Sequence, residues 1–323
     1  MMYAAYVYGS SFNGFREGDA ERLTHVNWAF AVVRDGKGSV EHWKNPEAVK
    51  EFNRTKGHLK SVLSVGGWGA GGFSPAVATP ESREIFAQSM VDIVNDFGFD
   101  GIDMDWEYPG DGVAGIEASP DDKVNYTHFM QLLRKKLGPD KILSMAAGGS
   151  QSCVDNLELD KLMEVMDFIN LMTYDMCPWD RVNYHTALYV SDAKNNAGDV
   201  VVKMYENAGV ERSRIVLGAA FYARVYKDVD GLNAKVGGAP GFLRGGYTET
   251  KRRAEASGLQ YDEKAEAPYV YDAEAKEFIT FDNPRSLEAK RKYCIDNGLY
   301  GIMFWEYSSD DENSTLLKAM TGK

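Results

Sequence analysis

Acidic residues recur at every second position in the stretch Phe99-Asp100-Gly101-Ile102-Asp103-Met104-Asp105-Trp106-Glu107-Tyr108-Pro109. Apolar Ile102, Met104 and Trp106 alternate with them, and Pro109-Gly110 closes the run, the pattern of a short buried strand. Side chains on a strand alternate, so Asp103, Asp105 and Glu107 share one face, with neighbours roughly 6–7 Å apart. Like charges that close cannot all ionise inside a protein, so at least one carboxyl keeps its proton near neutral pH. A general acid needs that property. Two other readings compete. A solvated acidic face is opposed by the large apolar face behind the row and by the turn that ends it. An EF-hand loop starting at Asp103 would need glycine at its sixth position, where Tyr108 stands. A magnesium ion held by two of the acids stays open.

The elements that must position this row are legible from periodicity. Strands are expected over 3–8, 24–33, 59–65, 141–147, 168–173, 215–221 and 299–305, besides the acidic stretch. Helices are expected over 46–53, 82–96, 121–137, 160–166, 191–208, 286–297 and 311–320. The second strand would carry Trp28, Phe30 and Val32 on one face. His25, at its start, reads as a structural histidine. Eight strands alternating with helices predict a (β/α)8 TIM barrel rather than a doubly wound sheet. Residues 225–281 break the rhythm with a Gly-rich segment, a polar segment and a hairpin pattern around Tyr269-Val270-Tyr271 and Phe278-Ile279-Thr280. They read as a small antiparallel insertion between strand seven and its helix, leaving 1–224 and 282–323 as the barrel.

Composition narrows the function classes. The 323 residues carry a formal net charge of −12, which opposes binding to nucleic acid or an anionic membrane. A neutral polymer or small molecule is compatible. Cys153, Cys177 and Cys294 are far apart and suggest neither zinc nor a disulfide framework. No apolar run reaches transmembrane length. No signal peptide is read at the N-terminus, so the expectation is a cytoplasmic protein or a chain lacking its export signal.

The stretch Asp100-Gly101-Ile102-Asp103-Met104-Asp105-Trp106-Glu107-Tyr108-Pro109 resembles the catalytic signature of the family 18 glycoside hydrolases, the chitinase family. Ser64-x-Gly66-Gly67 and Met172-Thr173-Tyr174-Asp175 match two further family motifs, and Phe304-Trp305-Glu306 closes the last strand. Ala220 and Ala223 stand where many relatives have Pro and Gly. The resemblance spans nearly the whole chain and implies a TIM barrel with the acidic stretch as its fourth strand and residues 225–281 as a shortened form of the family's small α+β insertion. It implies substrate-assisted hydrolysis, in which the sugar's own acetamido oxygen attacks the anomeric carbon. Glu107 would then be the acid and later the base, and Asp105 would orient the acetamido group while sharing a proton with Asp103. Tyr174 and Asp175 would hold that group from the other side, and Trp305 would floor the pocket. Tyr6, Trp28, Ser64, Gly67, Trp68, Met172, Trp179, Tyr222 and Arg224 complete the expected substrate-binding set. The expected function is a retaining chitinase on β-1,4-linked N-acetylglucosamine polymers or oligomers. Its expected partner is chitin or chito-oligosaccharides, with no nucleic acid and no membrane. The expected protein is a monomer without cofactor or metal. An endo-β-N-acetylglucosaminidase on N-glycans and an inactive chitin-binding lectin are the alternatives.

Overall fold

The computed structural model describes residues 1–323. Eight parallel strands close on themselves: β1 Met2–Tyr8, β2 His25–Arg34, β3 Lys60–Gly66, β4 Gly101–Asp105, β5 Ile142–Gly148, β6 Phe168–Met172, β7 Ile215–Ala220 and β8 Gly301–Trp305. Each pairs with its neighbours in chain order, and β1 pairs with both β8 and β2, so no barrel strand is left as an edge. The strands run between helices that cover the outside, the (β/α)8 architecture expected.

Alternation along the strands sorts the side chains. Val26, Trp28, Leu63, Val65, Ile102, Met104, Leu143 and Met145 point outward into one large apolar core under the helices. Met2, Ala4, Tyr6, Ala146, Phe168, Met172, Val216 and Met303 form a smaller apolar cluster of their own. Local chemistry fixes the surrounding helices. Pro80–Phe97 starts at a capping box between Thr79 and Ser82 and stops at Gly98, whose φ of 71° suits glycine. Pro284–Asp296 starts at a second capping box, between Asn283 and Ser286.

Three expectations need correction. The helix expected from 191 begins only at Gly198, because the Asn195 side chain accepts the backbone N–H of Ser191 and holds the chain in a loop. The closing helix begins at Thr315 rather than 311, because the Asp310 and Asp311 carboxylates accept N–H groups of its first turn. In β2 the register shifts between Trp28 and Ala31, so Trp28 and Phe30 do not share a face. His25 is buried and neutral, since burial pushes its imidazole down to about 4.

After β7 the chain builds a separate five-stranded antiparallel sheet from Arg224–Tyr226, Gly241–Phe242, Gln260–Asp262, Ala267–Asp272 and Glu277–Thr280. The last two form the hairpin read from the sequence. The helix Gly246–Ser257 beside them is the helical part of the insertion, which the sequence pattern did not place.

Candidate active site

The carboxylate row sits at the C-terminal end of β4 and just beyond it. The strand stops at Asp105, and Trp106 turns outward to stack on Phe73, 5.3 Å between ring centroids. Glu107 therefore stands at the barrel mouth while Asp103 lies inside.

The three acids differ by what surrounds them. Asp103 is buried and accepts four hydrogen bonds. Tyr6 and Ser64 donate to Oδ2 at 2.7 and 2.9 Å, and Ser144 and Asn170 donate to Oδ1 at 2.7 and 3.0 Å. Burial raises its pKa, and the four donors oppose that rise. Asp105 is also buried, but its Oδ1 has no partner. Burial, then the charges of Glu107 and Asp103, raise its pKa well above the carboxylate range. Burial and like charges thus push Asp105 up further than Asp103, whose four donors stabilise its charged form. Glu107 is partly exposed at the rim. Burial raises it to about 7, opposed by a hydrogen bond from Tyr108 and aided by the charge of Asp175.

The loop after β6 supplies the facing wall. Arg224 donates through Nε to Asp175 Oδ1 at 2.6 Å and through Nη2 to Oδ2 at 2.5 Å, a two-pronged clamp. His185 Nδ1 lies 3.5 Å from Asp175 Oδ1. Burial pushes the Asp175 carboxyl up, but His185 beside it and the two hydrogen bonds from Arg224 outweigh it and hold the group well below the usual range. Tyr174 reaches the Met303 sulfur at 3.9 Å and stands edge-on to the buried Tyr222. Trp305 ends β8. Its ring stacks on Phe30 at 5.3 Å and is flanked by Tyr6 at 5.8 Å and Tyr8 at 5.3 Å. Gly67 allows this, since a Cβ there would lie 2.6 Å from the Phe30 ring.

Among the residues singled out in the sequence, Trp28 is misplaced. It is 0% exposed, donates its indole N–H to Ser61 and packs on Phe12 and Phe52 outside the barrel. Ser64 and Tyr6 hold Asp103 rather than offering a free polar group to a ligand. Met172 is buried in the cluster with Tyr6 and Met303. Trp68 and Trp179 are 63% and 66% exposed on loops after β3 and β6.

Sequence reasoning missed Ser144, Asn170, His185 and the role of Phe30. Ser144 and Asn170 are polar residues inside otherwise apolar strands, a signal that could have found them. As for a metal, both oxygens of Asp103 already have protein donors, and no three His, Cys, Asp or Glu side chains converge as a ligand set. A cavity of about 550 Å³ opens near Met1, His25 and Tyr300 at the N-terminal end of the barrel, but it is lined by no carboxylate side chain.

Comparison with known proteins agrees with the barrel fold. The profile of the glycosyl hydrolases family 18 matches residues 2–310. Chitinase A1 of Niallia circulans is 33% identical over 85% of this chain and 44% of its own, so this chain spans less than half of that relative. Chitinase 1 of Aphanocladium album is 33% identical over 96% of this chain and 81% of its own. A solved structure of a family 18 N-acetylglucosaminidase from Paenibacillus barengoltzii superposes with a TM-score of 0.92 at 36% identity, covering 99% of both chains.

Proposed function

The chain belongs to family 18 of the glycosyl hydrolases, and from that premise we propose that it is a retaining chitinase that cleaves β-1,4-linked N-acetylglucosamine chains with the substrate's acetamido group as nucleophile. One observation carries the reading. Asp105 Oδ1 is the buried acceptor of the carboxylate row without a donor, and an acetamido N–H is a donor of the right kind. Glu107, kept protonated up to about pH 7, gives its proton to the glycosidic oxygen as that bond breaks. The acetamido oxygen bonds to the anomeric carbon and a cyclic oxazolinium ion forms. Positive charge then develops beside Asp105, and the shared proton moves toward Asp103. The hydroxyls of Ser64, Ser144 and Tyr6 can rotate to accept as well as donate, so Asp103 can take it up. Water opens the ring with Glu107 as base, and the original configuration is retained.

Tyr174 and Asp175 hold the acetamido group from the opposite wall, Trp305 supports the sugar by stacking, and Trp68 and Trp179 flank it. Trp106, Tyr108-Pro109, the Met172–Asp175 motif and the insertion favour chitin over N-glycans as substrate. The Paenibacillus barengoltzii relative supports a second reading, an N-acetylglucosaminidase that releases single sugars. The product profile on chito-oligosaccharides of increasing length, with an N-glycosylated protein as control, tests these readings. Disaccharides and longer products are expected. Monosaccharide alone would give the second reading, and release of an intact glycan would overturn the first.

A further inference from the structure

Asn27 lies in the middle of β2, is 1% exposed, and has no hydrogen-bond partner for either Nδ2 or Oδ1. Its neighbours Val26 and Trp28 point into the outer core, so Asn27 points into the barrel. Strand registers fix its level there. Asn27 pairs with Val62 and Val62 with Gly101. Asp103 pairs with Ser144 and Ser144 with Phe168, and Asn170 pairs with Val216 and Val216 with Gly301. Strands in such a barrel slip by about one residue each, so a layer of inward side chains rises two residues from one alternate strand to the next. Asn27, Asp103, Asn170 and Met303 therefore share one layer. The bond from Asn170 Nδ2 to Asp103 Oδ1, at 3.0 Å, agrees with that stagger. Asn170 Oδ1 is a third buried atom of this layer without a partner.

Buried polar atoms are paired with protein groups or with ordered water. The three orphan atoms offer a donor group and two acceptors, which suits a water that needs two to four partners. We propose that Asn27 and Asn170 hold an internal water in the layer of Asp103, and that through it Asn27 is a positioning residue for the Asp103–Asp105 pair. Burial is what pushes the Asp103 carboxyl up. A water in its layer restores part of the lost solvation and so favours the charged form. The other titratable groups facing the pair are Glu107, Tyr6 from β1, Tyr174 beyond β6 and Tyr126 from the helix Asp122–Leu137. Burial keeps the three tyrosines neutral, and β3 and β5 bring the hydroxyls of Ser64 and Ser144.

Crystals of the wild type test the site without substrate. Density for a water bonded to Asn27 and Asn170 is expected, and carboxamides bonded directly to protein atoms would overturn the proposal. The positioning role rests on the chitinase reading and is read from the acid limb of kcat/KM, where the aspartate pair becomes fully protonated. Asn27→Leu excludes the water and should move that limb up by about 0.5–1 pH unit, with the Glu107 limb unmoved. Asn27→Ser is smaller and polar, keeps a water and should bring the limb back. An unmoved limb in Asn27→Leu would overturn the role. So would an equal shift in Asn27→Ser with its water in place, which would assign the effect to the carboxamide alone. Should Asn27→Leu fail to fold, the wild-type density still decides. Carbon-13 NMR of the aspartate carboxyls reads the same shift without turnover. A wild type that cleaves no chito-oligosaccharide would therefore overturn the chitinase reading and leave this test intact.

Discussion

Asp103 and Asp105 are the same residue type two positions apart, and their neighbours treat them differently. Four donors stabilise the charged form of Asp103, whereas Asp105 has an orphan oxygen and is pushed up further. Burial raises Glu107, and the charge that adds to it is that of Asp175. The alkaline limb of kcat/KM should therefore fall near pH 7, where Glu107 loses its proton. Asp175→Asn removes a negative charge and frees the Arg224 cation, and both changes favour ionised Glu107. The limb should move to lower pH, while Asp105→Asn should leave it in place and lower the rate. A pH–rate profile for each variant checks this, and a limb that moves with Asp105 instead would contradict the assignment. Glu107→Gln should reduce kcat at least about a hundredfold with ligand affinity retained, measured by turnover and calorimetry. At this scale the row was legible in the sequence, because period-two alternation puts three acids on one face. Its proton distribution was not, because Ser144 and Asn170 reach Asp103 from β5 and β6, strands distant in sequence.

Each element delivers one or two groups to the rim, and errors in reading them follow from local irregularities. The acidic strand, the β3 turn and the end of β6 were readable because alternation is regular there. In β2 the register shift between Trp28 and Ala31 turned Trp28 into the outer core and set Phe30 on the Trp305 ring. Alternation alone cannot anticipate such a shift. The Gly67 turn makes room for that stack. Its φ of +91° is strained for any residue with a side chain, and a Cβ would strike the Phe30 ring. Gly67→Ala should displace Phe30 and tilt Trp305, reducing kcat/KM roughly ten- to hundredfold. The destabilisation should be only about 1–3 kcal/mol. Steady-state kinetics with thermal melts check both, and unchanged kinetics would detach the Phe30–Trp305 stack from catalysis.

For the molecule as a whole, barrel closure was legible because strand and helix patterns alternate along the chain. The course of the insertion was less so, since Gly246–Ser257 is a polar helix with little apolar periodicity. Raised acids also leave a mark on stability. Glu107 ionises at about 7 folded and near 4.5 unfolded, so between those values the native state holds the extra proton. Stability then falls as pH rises through that window. Glu107→Gln should gain up to about 2–3 kcal/mol over wild type above pH 7 and almost nothing below pH 4.5. Melting temperatures at pH 4.5 and pH 8 measure this, and equal gains at both would mean that Glu107 is not held protonated by the fold. The most direct test of the account concerns the nucleophile. Two chito-oligosaccharides are compared, one fully N-acetylated and one with glucosamine at the sugar whose glycosidic bond is cleaved. The account predicts turnover of the first and none at that bond of the second. Cleavage of both at similar rates, or a sugar ester trapped on the protein, would contradict it.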